Sequence, residues 1–256
     1  MVRGIDSAVN GMEGIITYND VVSNNLANIN TPGFKSSKLV YKNIQDMAIS
    51  QNSPNSNEQT YVGSLSAGGV VDSTLLDMKQ GPIRTTGNPL DVAISGKGFF
   101  EVQTPSGTAY TRNGNFIKNA DGFITTTDGY QVLGGNGPIN IGATGKTSND
   151  VNITEDGSVY VDKNQIDKLQ VVDFKNPEAL QSIGNSLLEP AGNVKPITAT
   201  NYQINQGAIE QGNGNTIECM VNTIQGSRTY ETLAKIIEAT EKTLSKSVNE
   251  VGKLKV

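Results

Sequence analysis

The N-terminal part of the chain carries apolar residues at helical spacing. A row with 4-3-4-3 spacing runs through residues 3–30 and predicts a long amphipathic helix. Its members are Ala8, Met12, Ile15, Asn19, Val22, Leu26 and Ile29. Asn19 interrupts the apolar row, and a buried Asn in such a seam fixes the register of paired helices at some cost in stability. Thr31-Pro32-Gly33 ends the pattern, because the residue before a proline is pushed out of the α region.

The C-terminal segment from Ile217 to Leu254 repeats this spacing. Its row consists of Leu233, Ile237, Thr240, Leu244, Ser247, Val251 and Leu254. A helix of this length would measure about 50 Å at 1.5 Å per residue. Neither terminal helix has a neighbour in sequence that would cover its apolar stripe. We therefore expect the two helices to pair and to leave some apolar surface for other copies or other proteins.

Between the two helices the pattern changes to short apolar runs separated by turn signals. The dipeptides typical of β-hairpins are Asn113-Gly114, Asp121-Gly122, Asp128-Gly129 and Asp156-Gly157. A further strand is predicted at 166–174. Upstream of these runs the chain is polar and rich in Gly and Ser, as in QNSPNSNEQ and SLSAGG. This composition predicts an extended linker with little core of its own.

The predicted fold class is therefore α+β, with paired, coiled-coil-like terminal helices and a central antiparallel all-β domain. The predicted parts are an N-terminal helix at 1–35, a linker at 36–79, the β-domain at 80–207 and a C-terminal helix at 208–256.

Composition narrows the function further. Hydrophobic residues make up 36% of the 256 positions, aromatic residues 5%, and Trp is absent, which favours an elongated, thinly cored protein. A formal net charge of −5 gives no basic surface for nucleic acid. The chain has no His, which excludes His metal ligation and His-dependent nucleophilic catalysis. We expect no cleaved signal peptide and no transmembrane helix, since no long apolar run is present.

Two glycine-rich stretches bear on nucleotide binding. NIGATGKT at 140–147 has Asn140 where a phosphate loop needs Gly, and a strand-like segment follows it instead of a helix. Gly96-Lys97-Gly98 lacks the third Gly of a dinucleotide fingerprint. The second stretch predicts instead a tight turn ahead of Phe99 and Phe100, which we expect to enter the core.

The remaining candidates for chemistry also favour structural roles. Acidic pairs such as Glu155/Asp156 and Asp72/Asp77 are more typical of turns and surfaces than of a glycosidase, which needs a fixed carboxylate separation. Cys219, the single cysteine, lies on an apolar helix face and is interpreted as a small packed hydrophobe. No internal disulfide is possible, and the sequence predicts no catalytic, cofactor-binding or metal-binding residues.

Several segments resemble the flagellar rod, hook and hook-associated axial proteins. One segment, NNLANINTPGFK at 24–35, is similar to the N-terminal signature of that family. Two segments are similar to its central β-domain: GNPLDVAISGKGFF at 87–100 and YTRNGNFIKNADGFITTTDGYQVLG at 110–134. Similar to its C-terminal helix is VNTIQGSRTYETLAKIIEATEKTL at 221–244. The chain is too short for a typical hook protein, and its β-domain is too complete for the shortest rod proteins. Two longer rod types remain, and SVNEVGKL at 247–254 resembles one of them.

The resemblance implies a structural subunit of the rod, the driveshaft that carries torque from motor to hook. It implies partnership with other rod subunits, hook–basal-body components and the flagellar type III export apparatus. The implied location is the basal body, reached without a cleaved signal peptide. No cofactor, small-molecule substrate or nucleic acid is implied. Two alternatives stay open: a secreted binding or peptidoglycan-acting protein with a similar β-domain, and an adhesin-like surface fibre.

The Asn-rich stretch SNNLANINTPGFKS at 23–36 allows two interpretations. Asn28 and Asn30 are candidates to cap the helix end, and the amides of this stretch are candidates to pair with neighbouring subunits, since amides donate and accept without burying charge. The two roles are compatible. Arg228 and Tyr230 are either solvated side chains or interface contacts. The predicted subunit contacts are Ile15, Val22, Asn24, Asn25, Leu26, Asn28, Ile29, Arg228, Tyr230, Leu233, Ile237, Leu244 and Val251.

Overall fold

The structure, a computed structural model, describes residues 2–43, 47–52, 59–65, 69–142, 151–192 and 194–253. In this part of the chain the helices are α1 at Val2–Ala27, a 3-10 turn at Pro177–Ala179, and α2 at Thr216–Lys253. The strands are β1 Ser37–Asn43, β2 Met47–Asn52, β3 Gln59–Leu65, β4 Gly69–Leu76, β5 Ile83–Thr85, β6 Val92–Gly96, β7 Phe99–Thr104, β8 Gly107–Thr111, β9 Phe116–Lys118, β10 Ile124–Thr126, β11 Gln131–Gly134, β12 Gly137–Pro138, β13 Val151–Ile153, β14 Ser158–Val161, β15 Asn164–Lys168, β16 Val171–Asp173, β17 Leu180–Gly184, β18 Leu187–Pro190, β19 Ile197–Thr198, β20 Tyr202–Gln206 and β21 Ala208–Glu210.

The chain forms two compact units. Unit 1 combines Met1–Asn24, Lys38–Thr74 and Ile217–Val256, and unit 2 combines Asn25–Ser37 with Leu75–Thr216. This organisation confirms the predicted α+β class, with a helix at each end and a central antiparallel β-domain.

Unit 1 contains the paired helices and two small ribbons. Helices α1 and α2 pack closely together, as predicted. Strand β1 pairs with β4, and β2 pairs with β3 in an antiparallel hairpin. The sequence predicts an extended linker at 36–79, yet this region contains all four of these strands. The strands form on short apolar runs such as KLVY and YVGSL, which the polar, Gly/Ser-rich composition of the region obscures.

Unit 2 is built around a sheet in the order β17-β18-β8-β7-β11-β10-β9. Strands β12, β16 and β19 join this sheet, while β13-β14-β15, β20-β6 and β21-β5 form smaller antiparallel groups. The main core is largely aliphatic, with Phe100 and Phe116 packed edge-on at a ring separation of 5.2 Å. A second core contains Phe99, Tyr110 and Phe174.

Local predictions in unit 2 are confirmed with small shifts. The chain bends at Lys97, between β6 and β7, and Phe99 and Phe100 are buried directly after this bend. The predicted strand at 166–174 divides into β15 and β16 around the buried Leu169. The last strand of the unit, β21, lies beyond the predicted domain end at 207. Most of the NIGATGKT loop lies outside the described residues.

Candidate subunit interface

The pairing of α1 with α2 depends on close approach at small residues. A Cβ built on Gly11 would lie 3.4 Å from Leu233 Cδ1, and one built on Gly226 would lie 2.1 Å from Asn19 Oδ1. Positions that rise along α1 therefore meet positions that fall along α2, so the helices run antiparallel.

Cys219 is buried in unit 1, and burial raises the pKa of its thiol. Both observations agree with the interpretation of this residue as a packed hydrophobe.

Apolar side chains remain exposed on both helices. On α2 they occupy i, i+3, i+4 and i+7 positions, which lie on one face of a helix. They are Ile217, Met220, Val221 and Ile224, exposed by 45–74%. On α1, Val9 and Ile16 are about half exposed and lie two turns apart. A contiguous exposed apolar face on a helix marks a surface that packs against something else.

The asparagines at the end of α1 make contacts within the chain. Asn25 is 8% exposed, and its amide pairs with both backbone groups of Ser37 at 2.8 Å: Nδ2 donates to the carbonyl, and Oδ1 accepts from the N–H. Within the chain the Asn25 amide therefore holds the segment that enters β1, and its expected contact with a neighbouring subunit stays a prediction. The backbone carbonyl of Asn28 accepts a hydrogen bond from the N–H of Thr31, and its side-chain Oδ1 accepts one from the Thr31 hydroxyl.

The Thr31-Pro32-Gly33 stop does more than end α1. Gly33 adopts φ = +67°, and a Cβ built there would lie 2.2 Å from the backbone nitrogen of Asn113. Its N–H donates to the carbonyl of Glu210 at 2.8 Å. Only glycine combines this backbone conformation with so close a contact. The segment after α1 is therefore seated directly on the β-strands of unit 2.

Two residues further on, Lys35 enters a buried cluster of charges, which we call the charge node: Lys35, Arg112 and Glu210. Lys35 Nζ lies 2.7 Å from Glu210 Oε1, and Arg112 Nη1 lies 3.1 Å from Glu210 Oε2. All three side chains are at most 5% exposed. The backbone N–H of Gly81 also donates to Glu210. Within the node one carboxylate thus offsets two cations, which leaves a net buried charge of +1.

Backbone carbonyls also accept hydrogen bonds from the two cations. Lys35 Nζ donates to Lys79 O at 2.8 Å, and Arg112 Nη2 donates to Gly96 O at 2.8 Å. The Arg112 guanidinium also lies 5.2 Å from the Phe99 ring centroid, a position that favours a cation. Burial lowers the pKa of Lys35 and of Arg112, while the charge of Glu210 acts in the opposite direction on both. The node therefore joins several distant chain segments by charge-assisted hydrogen bonds.

The predicted contact residues of α1 and the segment after it differ in exposure. Val22 and Asn25 are buried, and Asn24 is exposed. The partly buried members are Ile15, Leu26, Asn28 and Ile29. A subunit-contact role for these side chains stays a prediction.

The predicted contacts on α2 are more open to solvent. Leu233 and Ile237 are partly buried, while Arg228, Tyr230 and Leu244 are exposed. The side chain of Val251, like Leu254 of the same row, lies outside the described residues. Their role as subunit contacts also stays a prediction.

Sequence reasoning missed the charge node. Lys35 and Arg112 both lie within the segments that resemble the axial family, but an isolated Lys or Arg is normally interpreted as solvated. Glu210 follows two buried apolar residues in β21, and a charged residue directly after buried positions was the available signal. Glu210 lies 175 positions from Lys35 and 98 positions from Arg112, and a local pattern does not reveal such partners.

Other polar features of unit 2 serve the fold. An open groove of about 760 Å³ is lined by polar side chains including Asn152, Tyr160 and Gln206. The Gln206 amide is hydrogen-bonded to backbone groups of Pro89, Val151 and Ile153. Within the described residues no three acidic, Cys or His side chains cluster as metal ligands.

An exposed turn before β14 carries one strongly perturbed carboxylate. Asp156 accepts hydrogen bonds from the hydroxyls of Thr154 and Ser158, and these bonds hold its pKa at about 2, below the usual 3.8. Lys168 lies 3.6 Å away, but both of these charged side chains are largely exposed. The arrangement stabilises the turn.

The two long helices differ from membrane spans. Neither helix in the described ranges contains a stretch that is both long and apolar enough to cross a bilayer.

Comparison with known protein families defines the class of protein to which this chain belongs. A family model described as the flagellar hook protein FlgE/F/G D1 domain matches residues 93–161. A model of the flagellar basal body rod FlgEFG protein C-terminal matches residues 205–250, and a flagella basal body rod protein model matches residues 19–35. Paired terminal helices and an antiparallel β-domain, matched by these models, define an axial protein of the bacterial flagellum.

Relatives along the whole chain narrow the assignment. The flagellar basal-body rod protein FlgG of Bacillus subtilis (strain 168) is 30% identical over 273 residues, which covers 97% of this chain and 99% of the relative. FlgG of Buchnera aphidicola subsp. Schizaphis graminum is 35% identical over 89% of this chain and 91% of the relative. FlgF of Caulobacter vibrioides is 32% identical over 92% of each chain. The chain belongs to the family of flagellar basal-body rod proteins.

Proposed function

We propose that this protein is a structural subunit of the flagellar rod that transmits torque through packed helices and β-domains, without catalysis. The observation that carries the proposal is the exposed apolar face of α2, from Ile217 to Ile224, on an already paired helix. Each of these apolar side chains is 45–74% exposed in the single chain, so the helix has surface left for neighbours. The relatives named as rod proteins support the basal body as the location.

The proposed partners are further copies of this chain, related rod subunits and hook–basal-body components. Delivery by the flagellar type III export apparatus, without a cleaved signal peptide, belongs to the same proposal. Fractionation of cells tests the route: in a strain that lacks the export apparatus we expect the full-length protein to stay in the cytoplasm. An unchanged distribution, or a shortened N-terminus in mass spectrometry of the assembled protein, would contradict it.

Within the family we propose the FlgF type, on the resemblance of the SVNEVGKL run. The FlgG type is the second candidate, favoured by relatives of that name at 30–35% identity over 89–97% of this chain. Complementation separates them: each of the two deletion strains receives this gene. Motility restored only in the strain lacking FlgF would support the first candidate, and restoration only in the strain lacking FlgG would overturn it.

The interface proposal is tested by adding a charge to the exposed face from Ile217 to Ile224, as Met220→Asp, and to the separate heptad row of α2 that contains Leu244; we expect Met220→Asp to abolish complete rods. Leu244, exposed by 36%, is changed to Asp, and Ser245 on the same helix turn is changed to Asp as a matched control. Leu26→Asp tests the same idea at the end of α1. We expect Leu244→Asp to abolish swimming and complete rods, while the folded β-domain and the Ser245→Asp strain stay normal.

Motility, rod assembly, folding and peptidoglycan turnover together decide between the function classes. Soft-agar motility, electron microscopy of isolated hook–basal bodies and circular dichroism of the purified chain are measured for each variant. Complete, motile rods in the Leu244→Asp strain would contradict the interface proposal. Normal motility after deletion of the gene would favour the surface-fibre alternative, and turnover of peptidoglycan by the purified chain would favour the hydrolase.

A further inference from the structure

The contact between Asn19 and Gly226 combines two unfavourable features. The Oδ1 atom of Asn19 is buried and has no hydrogen-bond partner among the described residues. Gly226 lies inside a long helix, where glycine is a poorer helix former than alanine. The three atoms nearest to a Cβ built on Gly226 all belong to Asn19, at 2.1, 3.0 and 3.2 Å. The amide thus fills the space that a side chain at position 226 would need.

The apolar rows alone do not choose this alignment. Both rows repeat every seven residues, so sliding one helix by a heptad keeps apolar residues facing each other. A slide in one direction would place Cys219 opposite Asn19 and Met12 opposite Gly226. A slide in the other direction would place Leu233 opposite Asn19 and Leu26 opposite Gly226. Each alternative buries the Asn19 amide against a side chain. Each also places an apolar side chain, instead of the amide, over Gly226.

We infer that Asn19 and Gly226 form a register lock, a polar side chain seated in a glycine notch that selects one antiparallel alignment of α1 and α2. The register lock selects one alignment because it destabilises the alignments shifted by one heptad. Its cost is an unsatisfied amide carbonyl in the selected alignment. A single polar residue in an apolar seam fixes helix alignment in this way in coiled coils. The register lock concerns the helix pair within one chain and goes beyond the proposed function.

A double-mutant cycle on the purified full chain tests the steric part. Gly226→Ala is made in the natural chain and in an Asn19→Ala chain, and loss of helix is followed by circular dichroism in urea. We expect Gly226→Ala to destabilise the natural chain. In the Asn19→Ala chain the same change should stabilise, by about fivefold in the unfolding equilibrium constant, because alanine is the better helix former and its Cβ has room.

Gly11→Ala is the matched control, since its Cβ would make ordinary van der Waals contact with Leu233 at 3.4 Å. We expect Gly11→Ala to act alike in both backgrounds. A Gly226→Ala effect of the same sign and size in both backgrounds would overturn the inference.

Alignment itself is measured with spin labels. Cysteines replace the exposed Glu13 and Lys235 in a Cys219→Ala chain, and the label distance is recorded with Asn19 and with the Asn19→Leu substitution, which keeps the size of the side chain but removes its polarity. With Asn19 we expect one distance. The Asn19→Leu chain should show a second population, displaced along the helix axis by about 10 Å for one heptad at 1.5 Å per residue.

A single, unchanged distance in the Asn19→Leu chain would overturn the register lock. Both measurements use the isolated chain, so their outcome is independent of whether the rod proposal holds.

Discussion

The charge node makes a quantitative prediction about the stability of unit 2. Glu210→Gln keeps the shape of the side chain but removes the node's negative charge, so the net buried charge rises from +1 to +2. Removing one partner of a buried ion pair costs about 3–5 kcal/mol, because the remaining charge is left uncompensated. Here two cations lose their counter-charge, and we expect a loss at the upper end of this range.

Lys35→Met gives the opposite change in charge balance and should be milder. It leaves a neutral buried pair, and it removes an ammonium whose pKa is already lowered by burial. Neither of its acceptors is left empty, since Lys79 O keeps the amide of Asn213 as a donor and Glu210 Oε1 keeps the N–H of Gly81. The expected loss is that of a hydrogen bond to a charged group, about 1.5–3 kcal/mol. Glu210→Gln should therefore destabilise more than Lys35→Met.

Both losses of stability are measured by urea unfolding of the purified chain, with the near-UV circular dichroism of the tyrosines as the signal. Lys242→Met is the control, since Lys242 and Glu238 form an ion pair with side chains exposed by 71% and 63%. That exposed pair should contribute less than about 0.5 kcal/mol. Equal losses for Glu210→Gln and Lys35→Met, or a larger loss for Lys35→Met, would refute the charge-balance reasoning.

Three further predictions concern single positions in unit 2. Gly33→Ala should destabilise the unit by more than about 1–3 kcal/mol in urea unfolding, because the φ of +67° alone costs alanine that much and its Cβ would also lie 2.2 Å from the Asn113 nitrogen. Asn25→Asp should cost about 1–3 kcal/mol at pH 7 in the same assay, since the carboxylate has no donor for Ser37 O. Thr154→Val should raise the pKa of Asp156 from about 2 towards 3.8 in a carboxyl NMR titration. Because that pKa is depressed on folding, its stabilising contribution is present above pH 3.8 and is lost as the pH falls through about 2.

The long helices and the hairpins are predictable from sequence because their signals are local. The 4-3 spacing places α1 and much of α2, and the Asp-Gly dipeptides mark turns on either side of β10. Such patterns depend on neighbours within one or two turns of the chain. The α+β class follows from them directly.

The docking of residues 31–36 is not predictable in the same way. The sequence predicts a helix stop at Thr31-Pro32-Gly33, while α1 ends earlier, at Ala27. The need for glycine at position 33 comes from its φ of +67° and from the close contact with Asn113. Likewise the sequence suggests a partner outside the chain for Asn25, while its partner Ser37 lies 12 positions later. These contacts depend on which segments meet in space, and no local signal carries that information.

The same geometry bears on the order in which the chain can fold. The charge node joins Lys35 to Glu210, a sequence separation of 175 residues. Contacts with so large a separation raise the contact order, and their loop-closure entropy must be overcome before they contribute stability. A chain synthesised from its N-terminus cannot complete the node until residue 210 is available. The node therefore cannot stabilise the segment that follows α1 until nearly all of unit 2 has been made.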